Sequence, residues 1–289
     1  MILIVGCGFL GSYLLKHISA HTDEKILATV RDTDNCNFEN TAEYIQCDVS
    51  DKQALIHLAR RCDNLPLTVF YFAACHNVDY VYEHPDKAKE ININALNNFF
   101  EIIPNIKKFF FASTDCVYGD STSKFNEASP LLPVNEYGKQ KAQAEQIVLS
   151  KGFTVLRFPF MLGPSLTSKP HFYDNICSKL ICGETIEMID GMRRSVLSYK
   201  QTAELIYSLS VLPNALPSII NVCSDTELSK YDIGCILSKK LGTSPNLIKK
   251  ISEKEGNKFF KDVRASCTSM DNSLIKNLLK LDKIEWDVQ

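Results

Sequence analysis

The segment Ile2-Leu3-Ile4-Val5-Gly6-Cys7-Gly8-Phe9-Leu10-Gly11 decides the fold. Four apolar residues bounded by glycine predict a short, fully buried strand, and the amphipathic stretch Phe9–Ala20 predicts a helix directly after it. The three glycines answer different needs. Gly6 allows a tight turn, Gly8 lets the backbone come up to a pyrophosphate, and Gly11 lets the helix lie close against the strand. The start of the helix, at Phe9 and Leu10, offers amides without intrahelical partners and a partial positive charge, which suits a phosphate. The turn is therefore expected to bind a dinucleotide through Gly6, Gly8, Phe9, Leu10 and Gly11.

Outward from this turn, short apolar runs alternate with amphipathic stretches. Strands are predicted at Ile26–Val30, Tyr44–Gln46, Thr68–Phe72, Lys108–Ala112 and Thr154–Phe158, and helices at Lys52–Arg61, Lys87–Ile103 and Tyr137–Leu149. Continuously apolar strands separated by helices imply an α/β fold with a doubly wound parallel sheet. After Pro159 the pattern breaks at Gly163-Pro164 and Pro170. Helices are predicted at Phe172–Ile181, Thr202–Leu212 and Lys230–Leu241, with a strand at Ser218–Val222. We divide the chain into a dinucleotide-binding domain, 1–158, and a smaller substrate-binding lobe, 159–289, some of whose strands return to the sheet. Thr243–Thr268, rich in Lys, Ser and Asn, has no assigned element.

Composition excludes several classes of function. Among 289 residues, 32 basic and 34 acidic side chains leave a net charge of −2 with no basic stripe, so a nucleic-acid partner is not expected. The 11 cysteines are odd in number and scattered through apolar segments, and Cys177 and Cys182, the nearest approach to metal-ligand spacing, have no second pair. They predict reduced thiols, no metal site and a cytoplasmic protein. No apolar run approaches the ~20 residues of a membrane span.

Further candidates lie at predicted strand ends. Arg31 and Asp32 follow the second strand. An acid there favours NAD and an Arg favours NADP. Arg31 comes first and tilts the expectation to NADP, with NAD the alternative. Asp48 and Val49 follow the third strand as adenine contacts, and Ala73 and Ala74 after the fourth are small enough for a cofactor to lie flat. Tyr137 and Lys141, four apart, share one helix face. A tyrosine of pKa ~10 is a poor base at neutral pH, but a neighbouring ammonium favours its phenolate, so Tyr137 is the expected proton shuttle. Thr114, with Ser113 beside it, follows the buried run Phe109–Ala112 and is placed to hydrogen-bond a substrate oxygen.

In this order and spacing, Gly6–Gly11, Ala73-Ala74, Asn92, Ser113–Gly119, Tyr137–Lys141, Leu156-Arg157-Phe158, Gly163-Pro164, Arg194 and Ile220-Asn221-Val222 make the chain resemble the extended short-chain dehydrogenase/reductases that act on nucleotide sugars. Within them it is most similar to the dTDP-4-dehydrorhamnose reductases, through Ala73–Asp79, Ser113-Thr114-Asp115 and the spacing of Glu127, Pro133, Asn135, Tyr137, Lys141 and Glu145. The resemblance implies a nucleotide-sugar substrate reduced at a keto carbon. It implies Asn92 on the cofactor side, Arg194 on the substrate diphosphate with Arg193 or Arg264 as alternatives, His76 and Val78 lining the substrate, and a homodimer. One departure matters. The family's 4,6-dehydratases carry Glu after the Thr-Asp pair, and this chain carries Cys116. That argues against dehydration and leaves Cys116 either as an acid/base for epimerisation or as packing. A tightly NAD-bound epimerase is the enzymatic alternative. A nucleotide-binding regulatory subunit is the alternative of another class.

Overall fold

The computed structural model describes residues 1–31 and 42–288. In chain order its elements are β1 (Ile2–Val5), α1 (Phe9–Ser19), β2 (Ile26–Val30), β3 (Glu43–Gln46), α2 (Lys52–Arg61), β4 (Leu67–Tyr71), α3 (Val78–Glu83), α4 (Pro85–Lys89), α5 (Ala95–Ile102), β5 (Ile106–Thr114), α6 (Glu136–Ser150), β6 (Thr154–Phe158) and β7 (Phe160–Leu162). There follow α7 (Phe172–Ile181), β8 (Ile186–Ile189), β9 (Arg194–Ser198), α8 (Tyr199–Ser210), β10 (Ile219–Asn221), β11 (Glu227–Leu228), α9 (Lys230–Leu241), β12 (Ile248–Ile251), α10 (Glu253–Gly256) and α11 (Ser273–Leu279).

Seven strands form one parallel sheet in the order β10-β6-β5-β4-β1-β2-β3. Every residue of β1 and β2 is buried, as expected of strands covered on both faces. One apolar cluster packs α1, α8 and α11 on one face of the sheet. Another packs α2, α5 and α6 on the other. The strand order reverses between β1 and β4, and the crevice outside the carboxyl ends of those strands is where a doubly wound sheet takes its ligands.

The segments after β6 form two small sheets, β11-β9-β7 and β12-β8, around their own apolar cluster. β10 pairs with β6 as the edge strand of the main sheet. The unassigned stretch Thr243–Thr268 contains β12 and α10. The predicted helix Lys87–Ile103 is α4 and α5 joined by a π-helical segment at Glu90–Asn94, and α3 had not been expected. Serines cap α8 and α9, each with the side chain three residues on bonded back to the cap: Ser198 with Gln201, and Ser229 with Asp232. No helix among the described residues is long and apolar enough to cross a membrane.

Candidate active site

The glycine turn is held from beneath. Thr29 Oγ1 accepts the Gly6 amide at 2.9 Å, and the Thr29 carbonyl accepts the Cys7 amide at 2.8 Å. Gly6 has φ +90°, and a Cβ on it would stand 2.7 Å from the Ala73 amide nitrogen, so glycine satisfies both the backbone angle and the contact with β4's exit. A Cβ on Gly11 would stand 2.6 Å from the Gly6 carbonyl oxygen. Gly8 differs: nothing lies within 4 Å of a Cβ built there. It is the N-cap of α1, no side chain caps that helix, and its first turn carries no acid. The Gly8 amide donates to the Gly6 carbonyl at 2.8 Å, and the amides of the first turn that follows have no intrahelical partner, a cradle that fits a diphosphate.

Around this cradle the expected cofactor residues divide. Ala73 and Ala74 are partly exposed beside it. Asp48 is exposed, and its carboxylate accepts both the amide and the hydroxyl of Ser50, which with those bonds holds it below the usual carboxylate range. Arg31 is exposed; Asp32 lies outside the described residues. Val49 is buried in the core, so it offers its backbone and not its side chain. Asn92 requires a correction. It is 3% exposed, its Oδ1 accepts the Cys75 amide at 2.8 Å, and its Nδ2 donates to the Cys75 carbonyl and to Gln140 Oε1. Both ends of the amide are taken, so Asn92 holds the segment after β4 in place instead of touching the cofactor.

The catalytic candidates converge where β5 ends and α6 begins. Asn135 caps α6 by accepting the Gly138 amide at 2.8 Å. A Cβ on Gly138 would stand 2.4 Å from the Cys116 carbonyl oxygen, so glycine after Tyr137 lets the helix meet the turn that follows Thr114. Thr114 Oγ1 donates to Asp115 Oδ1 at 3.0 Å and accepts the Cys116 amide at 3.2 Å. Burial pushes the Tyr137 phenol well above the usual tyrosine range; Cys116, Asp115 and Cys75 add to the shift and Arg194 opposes it. Lys141, 2% exposed, rests its Nζ 3.9 Å from the centre of the Phe111 ring. Burial pulls its ammonium down to about 7, against Glu145. Both directions run against the expectation of a phenolate favoured by Lys141.

Ser113 also departs from expectation. It faces inward, 5% exposed, and its hydroxyl donates to Glu145 Oε1, so it is not a substrate contact. Arg194, expected on a diphosphate, places its guanidinium on the reacting end instead. Its Nε lies 3.5 Å from Asp115 Oδ2 and its Nη2 donates to Cys116 Sγ at 3.4 Å. Burial works against that charge, but Asp115 and Cys116 hold the guanidinium well above its ordinary range. Burial and then Asp115 push the Cys116 thiol up. His171 packs against Phe9 with the rings tilted and their centres 4.3 Å apart, and bonds Tyr199 Oη through Nδ1. His76 is exposed and Val78 half-buried beside the cleft.

Thr268 and Lys230, which complete the site, were not found in the sequence, and Asp115 had been given no role of its own. Asp115, 2% exposed, also accepts the Thr268 hydroxyl. Arg264 pairs with Asp79 at 2.8 Å, and both Arg264 and Lys230 lie over the ring of Phe260. Burial, then Arg194 and Arg264, pull Lys230 down to about 8 against Asp79, which places three cations near one another. Beyond Lys230 lies a cavity of about 240 Å³ lined by Phe172, Asn175, Met188, Phe260 and neighbours. The adjacency of Asp115 to Thr114 was a usable signal; Thr268 and Lys230 gave none. Among the described residues no group of three or more His, Cys, Asp or Glu is arranged to hold a metal ion.

Known proteins share this fold. The chain is 22% identical over 261 residues to methionine adenosyltransferase 2 subunit beta of Bos taurus, spanning 87% of this chain and 75% of that one. Its fold matches a dTDP-glucose 4,6-dehydratase from Streptomyces venezuelae crystallised with NAD, at TM-score 0.81 and 19% identity over 99% of this chain and 92% of the other. It also matches a hypothetical dTDP-4-dehydrorhamnose reductase from Sulfolobus tokodaii, at TM-score 0.80 and 22% identity over 99% and 97%. A family model described as NAD dependent epimerase/dehydratase matches residues 2–222. With its glycine cradle, its seven-stranded parallel sheet and a match across most of its length, the chain belongs to the NAD dependent epimerase/dehydratase family.

Proposed function

We propose that the protein is an NAD(P)-dependent reductase of a nucleotide-activated keto-sugar, acting at a C4 carbonyl. The observation that carries this reading is the close packing of the Tyr137 turn of α6 on the turn after Thr114, with a thiol, Cys116, where a dehydratase would need a carboxylate base. A phenol is a proton donor, and reduction of a carbonyl needs one.

Gly6, Gly8, Gly11 and the amides of Phe9 and Leu10 would hold the dinucleotide's pyrophosphate, Asp48, Val49 and Arg31 its adenosine end, Ala73 and Ala74 its flank, and Lys141 its nicotinamide ribose. Reduced and bound there, a nicotinamide supplies a hydride. Tyr137 gives its proton to the carbonyl oxygen as that oxygen becomes a hydroxyl, and solvent restores it. Thr114 hydrogen-bonds the same oxygen by turning its hydroxyl away from Asp115. Lys230 and Arg264 provide positive charge for a diphosphate, and the cavity beyond them has room for a nucleobase. His76 and Val78 line the sugar. A homodimer in the cytoplasm is part of the same reading.

A thermal-shift screen of NAD, NADP, NADH and NADPH, followed by turnover with dTDP-4-keto-6-deoxyglucose, tests it. Binding to the native state raises stability by RT ln(1 + [L]/Kd), about 2.7 kcal/mol at a hundredfold excess over Kd. One reduced cofactor consumed per sugar is the expected result. If no dinucleotide shifts the melting point, the reading is lost. The Cys116–Arg194 contact favours a second reading, epimerisation with Cys116 as an added proton donor. It would show as sugar interconversion without net cofactor consumption. A nucleotide-binding regulatory subunit, the reading of another class, predicts that Tyr137→Phe leaves biological activity untouched.

A further inference from the structure

Glu145 lies on the face of α6 that carries Tyr137 and Lys141, one turn beyond Lys141. It is fully buried. Both oxygens are used: Oε1 accepts Arg157 Nε at 2.9 Å together with the Ser113 hydroxyl, and Oε2 accepts Arg157 Nη2 at 2.6 Å. Arg157, on β6 and 1% exposed, donates its remaining arm to Tyr118 Oη at 2.8 Å, and Tyr118 Oη donates in turn to Asn221 Oδ1 on β10 at 2.7 Å. The chain of bonds thus joins α6, the end of β5, the turn after it and the edge strand.

A buried ion pair is a poor way to gain stability, since an apolar pair of similar volume often does as well. Its location supplies a different reason. Ser113 is the residue before Thr114, and Glu145 is one turn from Lys141, so the Ser113–Glu145 bond joins the two elements whose relative placement sets the catalytic geometry. Apart from Tyr137 on its own helix, the ionisable groups near Lys141 are Glu145 and, from the segment after β4, His76. Its other neighbour is the Phe111 ring.

We propose that Glu145 is a positioning residue for the catalytic centre: clamped by Ser113 and Arg157, it ties the Thr114 end of β5 to the Tyr137–Lys141 helix and provides the buried counter-charge for Lys141. This rests on reading Thr114, Tyr137 and Lys141 as the catalytic set.

The test uses protein labelled at lysine Cε with ¹³C, cofactor-free, with Lys141→Met to assign the resonance. Glu145→Gln keeps the shape and removes the charge, so the Lys141 titration midpoint moves down by about one unit. With dTDP-4-keto-6-deoxyglucose and NADPH, Glu145→Gln lowers kcat about hundredfold and Ser113→Ala about tenfold, each with little change in KM. Ser113→Thr, which keeps the hydroxyl, restores most of the loss. A merely structural role predicts a lower melting temperature, an unmoved Lys141 midpoint and an unchanged kcat per folded molecule, and that result overturns the proposal. Should Glu145→Gln not fold, Ser113→Ala decides: an unchanged kcat overturns it. Tyr137→Phe, run alongside, separates the two claims. If it stays active the catalytic reading fails, and the Lys141 titration alone then judges Glu145.

Discussion

The cofactor cradle and the substrate edge adjoin at the carboxyl end of one sheet, but they are made of different materials. The cradle consists of backbone and missing side chains: Gly6 against Ala73, Gly11 against the Gly6 carbonyl, and Gly8 facing open space. Its three glycines all lie within a few residues of one strand end. The substrate edge consists of side-chain charge gathered from across the chain. Asp79, Asp115, Arg194, Lys230, Arg264 and Thr268 come from α3, β5's exit, β9, α9 and the segment after α10. A site built from local backbone can be shared by every member of a family, because one nucleotide phosphate resembles another. A site built from distant side chains can change one element at a time, and that is the half which must tell substrates apart.

The largest expected effect strikes the joint between the two halves. Tyr137→Phe removes the proton donor and keeps the ring, so kcat falls about 10²- to 10⁴-fold while the dinucleotide thermal shift survives. If turnover persists, the proton comes from elsewhere and Cys116 is the next group to replace.

The second prediction breaks the cradle in two distinguishable ways. Gly6→Ala forces a left-handed φ on a residue with a side chain and drives its Cβ into the Ala73 backbone. It is expected to destabilise the cofactor-free protein by about 1–3 kcal/mol and to abolish the dinucleotide thermal shift. Gly8→Ala meets nothing in the protein, so denaturant melts of the cofactor-free form stay within about 1 kcal/mol of the parent. Its added methyl stands where the phosphate would lie, and cofactor affinity still falls. Equal destabilisation by both would show that Gly8 is a folding requirement and not a ligand contact.

The same contrast explains what could be read in the sequence. The Gly6–Gly11 turn and the strands at 2–5, 26–30 and 154–158 were legible to the residue, because short, mostly apolar runs that end in glycine, proline or a charged residue leave little else for the chain to form. The π segment at Glu90–Asn94 was invisible, since one inserted residue barely disturbs the apolar spacing of a long helix. β12 was missed because Ile248–Ile251 has lysines at its centre and gains its place only by pairing with Ile186–Ile189. Ser113 was misjudged because alternation along a strand says that two neighbours face opposite ways, not which way each faces. Thr268 reaches Asp115 from 153 residues away, a distance at which no local pattern operates.

On the substrate side a smaller effect is expected. Arg264→Ala leaves Asp79 without its guanidinium, though Asp79 Oδ1 still accepts the amides of Lys261 and Asp262 at 2.9 and 3.2 Å. The segment should therefore stay in place while positive charge is lost, weakening dTDP or UDP binding by about tenfold in calorimetry, with cofactor affinity unchanged. A matching loss of cofactor affinity would mean that the two halves are not separable.

The last prediction concerns Lys141, where the halves meet, and is read in stability instead of catalysis. Burial lowers its pKa from 10.5 to about 7 in the folded state. Below about pH 7 both states hold the proton and folding bears the full cost of a buried ammonium. Between about 7 and 10.5 the unfolded chain retains a proton that the folded protein has released, so this residue makes stability rise with pH. The slope cannot exceed about 1.4 kcal/mol per pH unit for one proton. Lys141→Met, measured by denaturant melts of the cofactor-free protein at pH 6.5 and 8.5 (on the order of the window given by linkage), should be stabilised relative to the parent, and more so at the lower pH. Bound dinucleotide should flatten the difference if its ribose hydroxyls take the ammonium, because a partnered Lys141 keeps its proton in the folded state. A difference that is independent of pH would place Lys141 outside the buried pocket and detach it from both halves of the site.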